Sequence, residues 1–321
     1  MSGVDPAATI AEHAARVGAS DPLLPVPAEF RAGTRLSVDG GEAVTWFQHL
    51  PEGLAARSWE PARSHHLDVR LAGADRAATL GVLLDRWLDL IRDTVTPGDS
   101  DSAAVVEMPS RDTEAVSALV HRGFVPCSVV AVRKAGRGGQ AGDPGVRIRA
   151  ATADDLAVAT ELNLTVVRFD AAFGKITPRD STEEVLRNQL VFLLSQPEPL
   201  VWLAERAGRV VGLVHIQLPP VSNWAGRYVA APAVGYLGCL GVVESERGGG
   251  IGAALTAHAH AVIDAAGVPV TLLHHALANP YSTPFWYSAG YRPLWTTWLR
   301  RPTLPTPRVA PPGKRVAPSG N

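Results

Sequence analysis

The sequence predicts a mixed α/β protein built from two similar halves, and three observations lead to this prediction. Segments with strand-like apolar character alternate along the chain with segments of helical spacing. A glycine-rich segment, 134–145, lies near the middle of the 321 residues, where a linker is expected. An ordered set of strand, Arg-x-x-x-x-Gly, helix, strand, helix, Gly-aromatic and strand occurs in each half, from Arg76 to Phe124 and from Arg247 to Tyr291. We therefore predict a first domain over 1–133, a linker over 134–145 and a second domain over 146–301. A disordered, proline-rich tail is predicted over 302–321.

Apolar periodicity supports each predicted element of the second half. Helical spacing, preceded at the first helix by the capping residue Thr152, predicts helices over 154–167, 183–194, 253–266 and 282–290. Apolar and partly β-branched runs predict strands over 200–206, 210–218, 234–243, 268–275 and 291–300. In the first half, the same criteria predict a strand over 65–71 and a helix over 82–93.

Composition excludes several functional classes. The formal net charge is −1, so we expect no nucleic-acid partner and no anionic membrane partner. The two cysteines provide neither a disulfide framework nor a zinc site, and we expect no metal. The first residues lack the apolar core of a signal peptide, which leads us to expect a cytoplasmic protein. The excess of arginine and alanine is typical of a GC-rich bacterial genome.

A glycine-rich loop, 247–252, joins a predicted buried strand to a predicted helix. Three consecutive glycines allow close backbone approach to a ligand, and the first turn of the helix offers unpaired N–H groups. These features together favour an anion site that suits a pyrophosphate. The loop lacks the Lys-Ser/Thr of a nucleotide P-loop and the spacing of a dinucleotide fingerprint.

At this point the sequence resembles the GCN5-related N-acetyltransferase (GNAT) superfamily. Arg247, Gly250 and Gly252 match that family's Arg/Gln-x-x-Gly-x-Gly/Ala signature. Its second block, an Asn, a short aromatic helix and Gly-Phe or Gly-Tyr, is matched by Asn279, by 285–287 and by Gly290-Tyr291. The resemblance covers about 148–300 well and 1–133 faintly. It implies that each half is a mostly antiparallel mixed sheet with splayed central strands and flanking helices.

The resemblance implies acetyl-CoA as the donor. The backbone of the fourth strand of that fold would pair with the pantetheine arm, here at Gly241, Val242 and Val243. The N–H groups of the glycine loop would hold the pyrophosphate, here at Arg247, Gly248, Gly249, Gly250, Ile251, Gly252 and Ala253. A backbone N–H of the same strand would polarise the thioester carbonyl. Asn279, Phe285 and Trp286 would line the other side of the coenzyme.

The groups that move protons are less well defined by the resemblance. Trp286 stands where many relatives have a tyrosine that protonates the departing thiolate, and an indole is no useful acid. The alternatives for the general acid are Tyr287, Tyr281, a water, or no acid at all. Tyr236 and His215 are the candidates for the base, and each is alternatively a packed side chain. Cys239 is expected to be a buried hydrophobe, and the spacings of His258 with His260 and of His274 with His275 disfavour a metal site.

The first half departs further from the family pattern. Thr79 stands where the second half has Gly250, and its side chain would obstruct a phosphate. We therefore expect a degenerate domain that does not bind the coenzyme and is kept for structure or for shaping the acceptor site.

Two segments are candidates for the acceptor site, 167–182 and 222–228. They offer Asp170 for an ammonium group and Trp224, Arg227 and Tyr228 for a ring or a carboxylate. The sequence thus predicts direct N-acetyl transfer from acetyl-CoA to a small-molecule amine in the second half. The alternative is a non-catalytic acyl-CoA-binding or regulatory protein. No oligomeric state is predicted.

Overall fold

The computed structural model describes residues 5–137 and 145–306 and confirms the mixed α/β class. Within these residues one continuous sheet is flanked by helices. Its strands are β1 (Thr34–Val38), β2 (Gly41–His49), β3 (Arg63–Leu71), β4 (Ser102–Pro109), β5 (Val125–Lys134), β6 (Arg147–Ala150), β7 (Val201–Arg206), β8 (Arg209–Gln217), β9 (Val234–Val242), β10 (Val270–Ala276) and β11 (Arg292–Arg300). The helices are α1 (Pro6–Ser20), α2 (Arg76–Ile91), α3 (Val116–Val120), α4 (Leu156–Asp170), α5 (Thr182–Leu194), α6 (Ile251–Ala265) and α7 (Ser282–Ser288).

The two halves exchange their last strands. The strand order is β1-β2-β3-β4-β11-β5-β10-β9-β8-β7-β6. β11 of the second half therefore pairs with β4 of the first, with Trp298 opposite Val106. β5 of the first half pairs with β10 of the second, with Val130 opposite His274. The expectation of a separate sheet in each half is therefore wrong, because an apolar period identifies a strand but not the strand it pairs with.

The helices cover the two faces of this sheet unequally. α2 and α6 lie on one face, where Leu83 and Leu255 belong to the two largest apolar clusters. α1, α4 and α5 lie on the other face, where Val17 of α1 packs in a cluster with Val130 of β5. None of the helices in the described ranges is long and apolar enough to cross a membrane.

The linker and the tail are described only in part. Residues 138–144 and 307–321 lie outside the described residues. Lys134, at the start of the predicted linker, ends β5. The first residues of the predicted tail are packed on the first half: Thr303 is buried, and the carbonyl of Leu304 accepts a hydrogen bond from the N–H of Gly98 at 2.8 Å. The domain boundaries themselves stay a prediction.

β9 and β10 separate along their length. They pair in parallel only from Val270 opposite Val234 to Leu272 opposite Tyr236. On its other edge β9 pairs with β8, and there Gly238 is an extra residue: His215 is opposite Cys239, while Ile216 is opposite Leu237. The bulge and the separation of the strands occur at the same level of the sheet. A gap therefore opens between β9 and β10 beyond Tyr236.

Candidate active site

A cavity of about 740 Å³ occupies the gap between β9 and β10. Its volume is in the range of small-molecule and cofactor sites. The walls come from β9, the glycine loop, the end of α4, the start of α7 and the segment 224–228. Trp59, Glu60, Cys127 and Ser128 of the first half also line it. The cavity is thus shared by both halves.

The glycine loop has the geometry of an anion site. Gly248 and Gly250 have φ angles of 79° and 83°, a left-handed conformation that residues with a side chain rarely adopt. Gly250 is the N-cap of α6, and no side chain caps this helix. The first N–H groups of α6 are therefore left to a ligand, at the positive end of the helix dipole. The cavity lining within the predicted pyrophosphate site comprises Arg247, Gly248, Gly250, Ile251, Gly252 and Ala253, without Gly249.

The charges beside this loop favour an anion. The Arg247 guanidinium lies over the Phe169 ring, 5.5 Å from its centroid, and its Nε donates to the carbonyl of Val242 at 3.3 Å. Glu246, the nearest acid in sequence, is paired with Arg206 at 2.7 Å. The Glu246 carboxylate is thereby neutralised. Gly241 and Val242 line the cavity as predicted for the pantetheine arm, whereas Val243 does not.

The corresponding position in the first half is filled by the protein's own carboxylates. Asp75 is the N-cap of α2, and its Oδ1 accepts from the N–H of Ala78 at 2.9 Å. The N–H of Gly73 donates to Oε1 of Glu12 at 2.7 Å. Thr79 lies one turn inside α2, so the match of Thr79 to Gly250 is wrong. By helix start, Asp75 is the counterpart of Gly250, and its carboxylate supports the expectation that no phosphate binds there.

His215 packs directly against the bulge in β9. A Cβ on Gly238 would lie 2.3 Å from Cε1 of His215, so the ring occupies the space that a side chain would need. His215 is 1% exposed and its Nδ1 has no hydrogen-bond partner. Burial lowers the pKa of His215 to about 4. This candidate base is therefore a neutral imidazole at pH 7, placed on the wall of the cavity.

Tyr236, the other candidate base, lies in an aromatic cluster. Its hydroxyl is 3.0 Å from Nδ1 of His274, and its ring centroid is 4.7 Å from that of Trp224. Burial raises the pKa of Tyr236 well above its usual range and lowers the pKa of His274 to about 3. Both side chains are therefore neutral at pH 7. Tyr236 offers a hydroxyl for hydrogen bonding and not a phenolate that could take a proton.

α7 presents only some of its aromatic residues to the cavity. Phe285, Trp286 and the mostly exposed Tyr281 line it, but Tyr287 does not. The ring of Tyr287 packs edge-on against His275, with 5.6 Å between centroids. One residue along a helix turns about 100°, which separates Tyr287 from Trp286. The structure therefore does not bring Tyr287, a candidate acid, to the site.

Asn279 has more than the predicted role of lining the coenzyme. Its Oδ1 accepts from the N–H groups of Tyr281 and Ser282 at 2.9 and 3.2 Å, which holds the start of α7. Its Nδ2 donates to Oδ1 of Asp170, at the end of α4. Burial raises the pKa of Asp170, and this hydrogen bond partly opposes the rise.

The predicted acceptor residues all line the cavity. Asp170, Trp224, Arg227 and Tyr228 come together from the two predicted segments. Nε1 of Trp224 donates to Oε1 of Gln217 at 2.8 Å. The Arg227 guanidinium lies over the Tyr228 ring, 4.5 Å from its centroid.

Sequence analysis does not identify the residues through which the first half contributes to the cavity. Nζ of Lys175, in the segment after α4, forms an ion pair with Oε1 of Glu60 at 3.0 Å. The hydroxyls of Ser58 and Thr182 are 2.8 Å apart and buried. Arg179 donates to Asp101 at 2.6 Å. The segment 171–182 is therefore fastened to the first half, and no local sequence pattern marks these pairs.

The remaining candidates have structural partners. Burial raises the pKa of the Cys239 thiol to about 12, so no thiolate is available at pH 7. The His258 ring packs edge-on against Trp202, while Nε2 of His260 is 3.0 Å from the Tyr291 hydroxyl. Within residues 5–137 and 145–306, no group of three or more His, Cys, Asp or Glu side chains is arranged to hold a metal ion.

Comparisons with known proteins agree with this geometry. Residues 167–291 match the family model described as "Acetyltransferase (GNAT) family". The fold is similar to a GCN5-related N-acetyltransferase from Sphaerobacter thermophilus, with a TM-score of 0.54 and 19% identity, over 84% of this chain and 79% of that chain. At this identity the similarity shows a common fold and nothing more.

Two further structures are similar over most of the chain, with lower scores. A GCN5-related N-acetyltransferase from Kribbella flavida has a TM-score of 0.44 and 15% identity, over 94% of this chain and 97% of that chain. A tandem GNAT protein from the clavulanic acid biosynthesis pathway has a TM-score of 0.43 and 14% identity, over 95% and 98%. Among curated proteins, none is significantly similar to this chain.

Proposed function

Because residues 167–291 match the model of the GNAT acetyltransferase family, we propose that this protein transfers an acetyl group from acetyl-CoA to the amine of a small molecule. The observation that carries the proposal is the uncapped start of α6 behind Gly250, at the mouth of the gap between β9 and β10. The second half is the working one, because the equivalent helix start in the first half is capped by Asp75.

The residues present fit acetyl-CoA at three levels. The N–H groups from Gly250 to Ala253, with Arg247, would hold the pyrophosphate. The β10-facing edge of β9 has no strand partner beyond Tyr236, so its backbone groups can pair with the amides of pantetheine. The coenzyme supplies an acetyl group activated as a thioester. Leu240 and Phe285 line the same space and exclude water from it.

The chemistry needs an oxyanion donor and a route for one proton. A backbone N–H at the Gly238 bulge, freed from the regular ladder, would stabilise the charge that develops on the acetyl oxygen. The C–N bond forms, the C–S bond breaks, and the proton lost by the amine ends on the thiol of CoA. Asp170 and His215, which both line the cavity, are our candidates to accept that proton, directly or through water.

A non-catalytic acyl-CoA-binding protein is the second candidate. Its support is the indole of Trp286 in the cavity and the absence of Tyr287 from the lining. Release of free thiol from acetyl-CoA, followed across a panel of primary amines, separates the two functions. Amine-dependent release is expected, and coenzyme binding without release by any amine would establish the non-catalytic function.

A further inference from the structure

A row of polar side chains leaves the cavity and crosses onto the first half. It lies on the face of the sheet that carries α4, where paired residues of neighbouring strands point the same way. Two residues after His274 on β10, Ala276 is opposite Ser128 of β5. Ser128 is opposite Thr297 of β11, and Thr297 is opposite Glu107 of β4. The exchange of β5 and β11 brings these residues into one line.

Ser128 joins this row to the cavity. The residue is 8% exposed and lines the cavity, and among the described residues its buried Oγ has no hydrogen-bond partner apart from the adjacent Cys127 thiol, which is a weak one. A buried hydroxyl without a strong partner costs free energy, so such groups are normally satisfied.

Glu107 ends the row as a carboxylate without a counter-ion. Among the described residues it has no ion pair and no hydrogen bond. Its side chain is exposed to solvent and lies outside the cavity lining, yet desolvation raises the pKa of its carboxyl. The other charges close to it are engaged: Lys175 pairs with Glu60, Asp68 pairs with Arg70, and Arg227 donates to the Tyr228 hydroxyl. A cationic group is the ligand that this carboxylate lacks.

The opposite walls suit an apolar or flat spacer. Trp59 and Trp224 both line the cavity. With about 4.8 Å between neighbouring strands, three intervals separate β10 from β4, so the carboxylate lies roughly 14 Å from the edge of β10 along the sheet. The acceptor must therefore be long if it is to reach Glu107 while its reacting amine is at the thioester.

We propose that the acceptor is an elongated molecule with a second, protonated amino group, which binds Glu107 of the first half while its other amine reacts beside Gly238. This inference rests on the proposed acetyl transfer. It gives the first half a role in acceptor recognition, and it names a diamine or polyamine as the substrate class.

The test compares α,ω-diamines of three to twelve carbons with monoamines of equal length, at saturating acetyl-CoA. For the long diamines, kcat/KM should exceed that of the matched monoamines by at least about tenfold. Glu107→Gln should remove this preference while leaving monoamine turnover and acetyl-CoA affinity unchanged. The control Asp39→Asn, on the exposed turn between β1 and β2, should behave as wild type.

Three results would overturn the inference while leaving acetyl transfer intact. They are equal rates for diamines and monoamines, a preference unaffected by Glu107→Gln, or a preference for ω-amino acids, which would indicate Arg227 as the recognition group. If no amine is acetylated, calorimetry of diaminodecane with the CoA-bound protein still tests whether Glu107 binds the second amino group. Binding that Glu107→Gln weakens about tenfold supports this role of Glu107, and no binding to the wild type refutes it.

Discussion

Nδ2 of Asn279 donates a hydrogen bond of 2.6 Å to Oδ1 of Asp170 and so joins the start of α7 to the end of α4. Both residues line the cavity. The bond also stabilises the ionised form of a carboxyl group whose pKa burial raises. Asn279 thus links two parts of the cavity wall and lowers the pKa of one candidate proton acceptor.

Asn279→Ala should shift the acid limb of the pH profile of kcat/KM to higher pH. Without its donor, Asp170 is protonated more easily, and fewer molecules have the carboxylate at a given acidic pH. Asp170→Asn should remove the Asp170-dependent limb and lower kcat by about tenfold to a hundredfold or more, as expected for loss of a general base. The control is Asn188→Ala, at an exposed position on α5. Identical pH profiles for Asn279→Ala and wild type would contradict the effect of Asn279 on the pKa of Asp170.

Gly250→Asp should weaken acetyl-CoA binding at least tenfold, or about 1.4 kcal/mol, as measured by calorimetry. The added carboxylate would stand where the pyrophosphate is expected, and Asp75 shows that a carboxylate satisfies such a helix start. Gly208→Asp is the matched control, because Gly208 has a similar φ of 74° but lies on an exposed turn. Wild-type protein should titrate with one site per chain, and a second site of similar affinity would refute the assignment to α6 alone.

Gly238→Ala should reduce both stability and turnover. The new Cβ must displace the His215 ring, and overpacking of this kind costs about 1–3 kcal/mol in urea unfolding. His215→Ala alone leaves a void, while the double variant places a methyl group into that void. The two stability losses should therefore sum to more than the loss of the double variant. Strict additivity would mean that the ring and the bulge are independent.

Stability should fall steeply as the pH is lowered from about 6.5 to about 4. Burial lowers the pKa values of five histidines to about 4 or below, namely His13, His66, His215, His260 and His274. A histidine whose pKa is lowered in the folded state contributes stability above the unfolded value of 6.5 and loses it as the pH falls toward the folded value.

Urea midpoints measured at half-unit steps of pH test this expectation. Each histidine contributes a slope of at most about 1.4 kcal/mol per pH unit, and several act together. Replacing His260, whose Nε2 contacts the Tyr291 hydroxyl, should reduce the slope, whereas replacing the exposed His121 should not. Constant stability over this interval would mean that these rings are protonated in the folded protein without cost.

The features that the sequence predicts well are local ones. The loop around Gly250, the helix after it and the aromatic residues Phe285 and Trp286 are each defined within a few positions. Torsional freedom at a glycine and the dipole of a helix act over that same distance. In the structure, the residues from Arg247 to Ala253 line the cavity, with the exception of Gly249.

The features that the sequence does not predict depend on pairing between distant segments. Which strand lies beside β5 is decided by register across the whole sheet, and two similar halves offer equivalent partners. The contact of His215 with Gly238 depends on a single extra residue in β9. Glu60 lines the cavity from the segment before β3, which is far in sequence from the glycine loop, so its sequence neighbours carry no sign of this position. The sequence does not point to Asp75 as the N-cap of α2. Aligning Arg76 with Arg247 misplaces the start of the first-half helix by one turn.

The position of β11 also determines when the first half can finish folding during synthesis. The edge of β4 finds its partner only once the ribosome has translated residue 300, although β4 itself ends at Pro109. Until then, the nascent chain carries two unsatisfied sheet edges, on β4 and on β5, and both are templates for association with other chains. The first half is thus translated early but completed late. A break in the chain between the halves would yield fragments that must find each other before either has a whole sheet.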